Sequence, residues 1–295
     1  MRLSEITPLI EATVVRDAEF SNLGFLFDDL PDKLIFVESK HFVPAARKAC
    51  GIRCVVCTPE LVSSFSEAEG LATSAEPKLA FFHLQQYLVE ETDFYGASFP
   101  TVIHPSARLH PRAWIAPQNV RIGANTVIDA NVSIDERSLI GAGVRIRAGT
   151  VLGSEGFQSL RHSGGIVQMA HGGGVSVKDH VEIFANAVVA RAPFRQMTTV
   201  GEHSRIGNGA FVSHNVQLGQ RCFVGHNAAI NGNTNVGDDT WIGPNATVSN
   251  LLSLGARSRI SIGALVIQSI AADTHVTGMP AIEHRRMLRH VVSIR

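Results

Sequence analysis

The 295-residue sequence has no excess of charge of either sign and no long apolar run. It carries 26 basic and 26 acidic residues, so its formal net charge is zero. This balance argues against the basic surface that nucleic acids or anionic membranes attract. No apolar stretch reaches the ~18 residues of a membrane-spanning helix, and the N-terminal residues lack the apolar core of a secretory signal. We therefore expect a cytoplasmic protein that binds neither nucleic acid nor membrane.

Cysteine is also scarce, with four residues in the chain. Cys54 and Cys57 form a C-x-x-C pair, but a structural zinc site needs a second pair of ligands at comparable spacing, which the sequence lacks. The surrounding IRCVVCTP is apolar and β-branched. We interpret the pair as part of a buried strand and expect no metal site.

The first hundred residues alternate strand and helix patterns. KLIFVES (33–39) and RCVVC (53–57) read as strands, and residues 77–91 place apolar side chains on one helical face. This alternation predicts a small α/β domain over residues 1–100.

From about residue 102 an apolar residue recurs every six positions, and glycine often follows it. Such a hexapeptide repeat is typical of a parallel β-helix, in which three hexads make one triangular coil and residues 18 apart are stacked. We expect the apolar residue to point inward and the glycine to permit a sharp turn. The fold class is therefore mainly β, with a parallel β-helix over 101–278 and a short C-terminal helix over 279–295. The repeated apolar residues include Ile122, Ile128, Ile134, Ile140, Ile146, Val200, Ile206, Val212, Leu218, Val224, Ile230, Val236, Ile242 and Val248.

Two stretches break the repeat, residues 153–174 and 190–199. In repeat proteins such insertions map to loops on one face, which is often the binding face. We expect both stretches to be loops that leave the helix.

Two histidines stand in the repeat at the second position after the apolar residue, His214 and His226. Asn208 occupies the same position in an earlier hexad, 18 residues before His226, so these two side chains share a corner. His214 shares a different corner with Gly232 and Asn250. A corner histidine is either a catalytic group or a residue that hydrogen-bonds to the backbone, and spacing alone does not choose between them.

Several segments resemble the UDP-3-O-acylglucosamine N-acyltransferases of lipid A synthesis: LGSEGF (152–157), VEI (181–183) and NGAFVSHNVQLG (208–219). The resemblance implies a uridine-binding N-terminal domain, a left-handed β-helix, a short C-terminal helix and a homotrimer. It also implies transfer of a hydroxyacyl chain from acyl carrier protein to the amine of a nucleotide-linked sugar, with no tightly bound cofactor.

The resemblance assigns roles to five residues of this chain. His214 corresponds to the general base, Asn208 to an active-site asparagine and Gly232 to the oxyanion donor, while Phe36 and Phe42 correspond to the aromatics that sandwich uracil. The assignment suits the chemistry, because neutral imidazole is matched to removing the proton of an attacking amine near neutral pH. A backbone N–H beside a glycine is an unobstructed oxyanion donor.

Three further residues are candidates for substrate binding: His171 in the first interruption, His226 and Asn250. For His226 we favour a structural role. Leu251 stands where the family has a second histidine, and Arg191 and Arg195 replace an Asp-Arg-Gly segment.

The acyl donor stays open between acyl-CoA and acyl carrier protein. The TGMPA segment (277–281) is similar to the ending of acetyl-CoA-dependent hexapeptide acetyltransferases. One alternative is therefore a short-chain nucleotide-sugar N-acetyltransferase, and another is a non-catalytic protein that binds sugar nucleotides. A zinc enzyme of the γ-carbonic-anhydrase kind is disfavoured, because no two histidines are five residues apart.

Overall fold

The computed structural model describes residues 1–293, so Ile294 and Arg295, the end of the helix expected over 279–295, lie outside the described residues. The chain divides into two compact units. Unit 1 comprises Met1–Ala97 and Phe157–Gly172, and unit 2 comprises Ser98–Gly156 and the described residues from Gly173 onward. The sequence pattern predicts a boundary at residue 100 and places residues 157–172 in the β-helix. This segment instead belongs to unit 1, where its end is buried.

Unit 1 contains a five-stranded sheet in the order β1-β5-β4-β3-β2, in which β2 to β5 are parallel and β1 is antiparallel. The strands predicted from KLIFVES and RCVVC are confirmed as β3 and β4, and the predicted helix as α3. The strands are β1 Thr13–Arg16, β2 Asn22–Leu23, β3 Lys33–Val37, β4 Ile52–Cys57 and β5 Gly70–Thr73; the helices are α1 Leu3–Ile6, α2 Val43–Lys48 and α3 Pro77–Glu90, with 3-10 turns at Thr7–Leu9, Lys40–Phe42 and Pro59–Phe65.

The C-x-x-C pair lies in β4, with both thiols buried. Burial raises the pKa of Cys54 to about 12 and that of Cys57 to about 11. Both thiols are therefore protonated at neutral pH, which suits small core residues rather than nucleophiles or ligands.

The remaining strands are short, since each repeat contributes one straight segment between two corners. They are β6 Val102–Ile103, β7 Arg108–Leu109, β8 Trp114–Ile115, β9 Val120–Ile122, β10 Val127–Ile128, β11 Ser133–Ile134, β12 Ser138–Ile140, β13 Arg145–Ile146, β14 Val151–Ser154, β15 Ser159–His162, β16 Gly165–Gln168, β17 Gly174–Val177, β18 Glu182–Ile183, β19 Val188–Ala190, β20 Met197–Val200, β21 Arg205–Ile206, β22 Phe211–Val212, β23 Gln217–Leu218, β24 Phe223–Val224, β25 Ala229–Ile230, β26 Asn235–Val236, β27 Trp241–Ile242, β28 Thr247–Val248, β29 Ser253–Leu254, β30 Arg259–Ile260, β31 Leu265–Val266, β32 His275–Thr277 and β33 Ile282–Glu283, followed by helix α4 His284–Ser293.

Apart from the hairpin β15–β16, which belongs to unit 1, these strands form the three faces of a β-helix. The predicted architecture is confirmed: successive strands visit the faces in turn. Where the repeat is uninterrupted, parallel neighbours are 18 residues apart, as Phe211 opposite Ala229 and Ala229 opposite Thr247. Face 1 holds β6, β9, β12, β17, β20, β23, β26 and β29; face 2 holds β7, β10, β13, β18, β21, β24, β27, β30, β32 and β33; face 3 holds β8, β11, β14, β19, β22, β25, β28 and β31.

The repeated apolar residues point inward, as predicted, and form one continuous core. Ile206, Val212 and Ile230 are completely buried. Because each coil stacks its apolar side chains on those of the next, burial of apolar surface stabilises the whole column.

The prediction that the glycine after the apolar residue permits a sharp turn is wrong. Gly207 and Gly225 do not adopt a left-handed backbone; a Cβ on Gly207 would lie 2.7 Å from the backbone nitrogen of His226, and one on Gly225 would lie 2.4 Å from that of Pro244. These glycines allow adjacent coils to approach closely. The left-handed turn residue comes two positions later and is often asparagine, as at Asn215 and Asn227, because asparagine tolerates this conformation better than most residues.

Within residues 1–293, no helix combines the length and the apolar character that crossing a membrane requires.

Candidate functional site

His214 lies in the turn after β22, at the corner where the chain passes from face 3 to face 1. We call this corner, with Gly232 and Asn250 in the next two coils, the His214 corner. Both interruptions of the repeat leave the helix here, since they follow β14 and β19 on face 3 and precede β17 and β20 on face 1. The expectation of loops is correct for residues 191–196, whereas the first interruption contains the antiparallel hairpin β15–β16.

The imidazole of His214 lies directly over Gly232. A Cβ on Gly232 would be 2.3 Å from Cε1, 2.4 Å from Nε2 and 2.8 Å from Nδ1 of the ring. Only a residue without a side chain leaves room for the imidazole in this orientation. His214 is half-buried, and the Nδ1 atom of its ring is buried.

His226 has the opposite orientation. Its ring turns toward the preceding coil, where Nδ1 accepts a hydrogen bond of 2.9 Å from the backbone N–H of Asn208. The acceptor role leaves the proton of the neutral ring on Nε2. This is the backbone hydrogen bond that a structural role for His226 implies.

Asn208 and His226 occupy the corner between faces 2 and 3, whereas His214 occupies the next corner along the chain. The width of face 3 therefore separates Asn208 from His214 within one chain, as the spacing indicated. Asn250 lies at the His214 corner, is exposed, and accepts a hydrogen bond from the Ser249 hydroxyl.

The backbone N–H of Gly232 is available for an external acceptor. The N–H groups of Asn208 and Gln220, at the same position in other hexads, donate to side chains of the following coil, His226 and Asp238. Among residues 1–293, no acceptor pairs with the Gly232 N–H in this way. An N–H beside an imidazole is the arrangement that a tetrahedral oxyanion requires.

Arg191 lies at the same corner, one coil before His214, but its guanidinium turns away from His214. It donates to the carbonyl of Gly153 and forms an ion pair with Asp135 at 3.6 Å. Burial raises the pKa of Asp135 although Arg191 opposes this. The sequence pattern does not single out Asp135, because only the stacking of the coils places it beside Arg191. Arg195 is exposed.

His171 is completely buried in unit 1, and its Nδ1 donates to the carbonyl of Met169 at 2.9 Å. The adjacent backbone is also fixed, because the amide of Gln85 donates to the carbonyl of Ala170 at 3.0 Å. His171 thus anchors the end of the insertion, and a substrate does not reach it in this conformation.

Phe36 and Phe42 both lie in unit 1 but have different surroundings. The ring of Phe36 packs against Phe81 and Phe25, with centroids 5.1 and 6.4 Å apart. Phe42 is 44% exposed and contacts His41. The exposed ring of Phe42 can therefore stack on a ligand, whereas the ring of Phe36 packs partly into the core.

A cavity of about 330 Å³ in unit 1 lies where β3, β4 and β5 end and α3 begins. Ligands of open α/β sheets bind at the carboxyl ends of the parallel strands. The hairpin contributes Arg161 and His162 to the lining, which the sequence analysis missed because these residues are about a hundred positions away from the sheet. The other lining residues are Glu38, Thr58, Ala75, Glu76, Pro77, Lys78, Leu79 and Leu160.

Three or more histidine, cysteine or acidic side chains do not converge into a metal-binding group anywhere in the described chain.

Comparison with known proteins identifies similar sequences and folds. The family model for bacterial transferase hexapeptide (six repeats) matches residues 119–154 and 197–232. The UDP-3-O-acylglucosamine N-acyltransferase of Caulobacter sp. (strain K31) is 37% identical over 152 residues, which are 52% of this chain and 44% of that protein. The enzyme of the same name from Rhizobium meliloti (strain 1021) is 37% identical over 158 residues, 53% of this chain and 44% of that protein. The matches thus span less than half the length of these relatives.

Two solved structures share the fold. The UDP-N-acetylglucosamine acyltransferase from Campylobacter jejuni has a TM-score of 0.52 at 18% identity, over 66% of this chain and 81% of that one. The enzyme from Francisella novicida has a TM-score of 0.52 at 21% identity, over 64% of this chain and 73% of that one. The predicted resemblance and fold class are confirmed.

Proposed function

We propose that this protein is an N-acyltransferase that transfers an acyl group from a thioester to the amine of a UDP-linked amino sugar in lipid A or related surface-glycan synthesis. The observation that carries the proposal is the imidazole of His214 over the side-chain-free Gly232. It occurs on a β-helix whose sequence is similar to UDP-3-O-acylglucosamine N-acyltransferases.

In this reaction the neutral imidazole of His214 accepts the proton of the sugar amine as the new C–N bond forms. The thioester carbonyl becomes a tetrahedral oxyanion, to which the Gly232 N–H donates. When the oxyanion collapses, the C–S bond breaks and the protonated imidazole returns its proton to the leaving thiolate. Asn208 lies on the other side of face 3 from His214. It takes part in this reaction only if a second copy of the chain places its own Asn208 at the His214 corner.

For the nucleotide we propose unit 1. Phe42 offers an exposed ring for uracil, and Phe36 lies six residues earlier in the chain. Glu38, between these two aromatics, lines the 330 Å³ cavity together with Lys78 and Arg161. We keep Asn250 as a substrate contact at the His214 corner. We give structural roles to His226, which accepts a backbone hydrogen bond, and to His171, which is completely buried.

Two donors are compatible with the C-terminal region. Helix α4 carries Arg285, Arg286 and Arg289, which suit the acidic surface of an acyl carrier protein. The TGMPA turn exposes 74% of Met279 and suits acyl-CoA by its resemblance to acetyltransferases. Both donors are substrates, so no tightly bound cofactor is needed.

We further propose a homotrimer, located in the cytoplasm, where activated sugars and acyl thioesters are made. The corner between faces 2 and 3 is lined by small turn residues, among them Gly209, Asn227 and Gly263, which allow close approach of another chain. Face 2 exposes Phe223 and Trp241 beside it.

The proposal is tested by incubating the protein with a panel of UDP- and dTDP-amino sugars, 3-O-acylated UDP-glucosamine included. The donors are acetyl-CoA, longer acyl-CoAs and hydroxyacyl carrier proteins, and mass spectrometry detects the product. His214→Ala should lower kcat by ~10²–10⁴-fold, the usual contribution of a general base. The matched control is His203→Asn, which changes an exposed corner histidine elsewhere on the helix.

A product that depends on His214 and not on His203 supports the proposal and identifies both substrates. Transfer confined to acetyl-CoA would favour the short-chain N-acetyltransferase. Activity that survives His214→Ala but is lost in His226→Ala would move the base to the other corner. Binding of UDP-sugars without any product would favour a non-catalytic binding protein.

A further inference from the structure

The turn that carries His214 is held differently from its neighbours in the β-helix. At the other corners nearby, the N–H of the left-handed residue donates to a backbone carbonyl of the preceding coil. Examples are Asn227 to Asn208, Asn233 to His214, Asp239 to Gln220, Asn245 to His226 and Leu251 to Gly232, all at 2.9–3.0 Å. For Asn215, the residue directly after His214, the acceptor is instead the side-chain hydroxyl of Thr198, at 2.7 Å.

The second interruption explains this exception. In the coil before His214, residues 191–196 leave the helix, and their carbonyl groups turn toward the first interruption. Ala192 and Gln196 accept the N–H groups of Gly173 and Gly174 at 3.0 Å. A Cβ on Gly173 would lie within 2.1–2.6 Å of three carbonyl oxygens of this loop. In the other turns the accepting carbonyl lies 19 residues before the left-handed residue, and for Asn215 this residue is Gln196. Because the Gln196 carbonyl accepts the N–H of Gly174, it does not accept that of Asn215.

We infer that Thr198 is a positioning residue for His214. Its hydroxyl replaces the missing carbonyl and fixes the peptide group between His214 and Asn215. From the other side, the His214 carbonyl accepts the N–H of Asn233 at 3.0 Å, and the Asn215 amide donates to Asn233 at 2.9 Å. These contacts fix the backbone that carries the imidazole, and Gly232 leaves space for the ring. The inference rests on the proposed function, in which His214 is the base.

Valine is the appropriate substitution at this position. Thr198 is completely buried, and Val216 occupies the same position in the next coil, also completely buried. Thr198→Val therefore keeps the shape of the core and removes only the acceptor. The matched control is Thr126→Val, at another corner three coils earlier by stacking of the strands. Thr126 is equally buried and has valine in the next coil. Its hydroxyl accepts the N–H of Val144 at 3.2 Å and also donates to the carbonyl of Gly141 at 2.8 Å, so the control removes one hydrogen bond more.

Steady-state kinetics and NMR of the imidazole carbons test the inference in the full-length protein. We expect Thr198→Val to lower kcat by on the order of 10- to 100-fold with KM within about twofold, because small displacements of a catalytic group are costly. Thr198→Ser should restore most of kcat. Thr126→Val should lose comparable thermal stability and keep kcat. In the His214→Ala background, Thr198→Val should have no further effect on the residual rate.

The NMR arm is independent of activity. The His214 resonance, assigned by its loss in His214→Gln, should shift or broaden in Thr198→Val and not in Thr126→Val. An unchanged resonance together with an unchanged kcat would overturn the inference. Equal losses of kcat in both valine variants would also overturn it, by showing a general effect of stability. If no substrate pair reacts with the unsubstituted protein, the proposed function fails, while the resonance still decides the role of Thr198.

Discussion

At the residue scale, one position of the hexapeptide serves different purposes in successive coils. His226 and His214 occupy equivalent positions, but the first accepts a backbone N–H of the preceding coil and the second lies over a glycine of the following coil. The difference originates in the neighbour 18 residues away. Asn208 donates its N–H to His226, whereas Gly232 lacks the side chain that would collide with the His214 ring.

Gly232→Ala tests this interpretation. The added methyl group would lie within 2.3–2.8 Å of the His214 ring, so the imidazole must move, while the backbone N–H at 232 is retained. We expect kcat to fall by roughly 100-fold with little change in secondary structure by circular dichroism. Removing the ring removes the conflict, so Gly232→Ala should cost little further thermal stability in the His214→Ala background. Unchanged kcat in the single variant would contradict the packing argument.

Leu251 is a second residue whose backbone conformation is imposed by its position in the turn of the coil. It adopts a left-handed backbone with φ of 60° and is 46% exposed, whereas the equivalent residues of the two preceding coils are Asn215 and Asn233. A left-handed conformation costs most side chains about 1–2 kcal/mol.

Leu251→Asn should therefore stabilise the protein by about 1 kcal/mol and raise its Tm by about 2–4 °C. Its amide can also extend the Asn215–Asn233 hydrogen bond. The reverse change at an exposed left-handed position of another corner, Asn245→Leu, should lower Tm. An unchanged or lower Tm for Leu251→Asn would show that leucine makes compensating apolar contacts.

At the element scale, helix α4 is attached to the last coil through two histidines. The rings of His275 and His284 stack with centroids 4.1 Å apart, and the other side of His275 contacts the Ser261 hydroxyl at 2.9 Å. Burial lowers the pKa of His275, and the neighbouring His284 and Arg259 lower it further, against the opposing charge of Glu283.

This arrangement predicts that acid weakens the attachment of α4. A lowered pKa means that the folded state binds the proton less readily than the unfolded chain. The attachment is therefore strongest above the ordinary histidine pKa of ~6.5 and weakens as pH falls below it. Hydrogen exchange of α4 amides, expressed as protection factors at pH 7.5 and 5.5, should show this loss. His275→Phe keeps a stacked ring without the proton, and an equally steep loss in that variant would contradict the mechanism.

At the scale of the whole molecule, the β-helix supplies a regular surface, and the reaction that we propose takes place at one of its corners. Both interruptions leave at the His214 corner, and a flat face next to it offers no cleft by itself. A second chain is the simplest source of the missing wall, which is why we propose a trimer.

The trimer predicts a solution mass three times the 31.7 kDa of the chain, measurable by light scattering. Trp241 is 41% exposed on face 2, beside Phe223 and Arg259. Trp241→Glu should dissociate the assembly without unfolding the chain, because the residue points outward. A monomeric unsubstituted protein would exclude the trimer, and a trimer that tolerates Trp241→Glu would place the contact on another face.

The sequence by itself determined the β-helix, the inward column of apolar residues and the corner that His214 shares with Gly232 and Asn250. A six-residue period is a local property, and stacking at 18 residues follows from it without further information. Only the tertiary structure decided what depends on distances between coils and between remote segments. It placed residues 157–172 in unit 1, brought Arg191 to Asp135, turned His226 toward Asn208, and gave the Asn215 N–H the hydroxyl of Thr198 as its acceptor. These contacts depend on which carbonyl groups an irregular loop leaves unoccupied, and a repeat pattern carries no information where the repeat is broken.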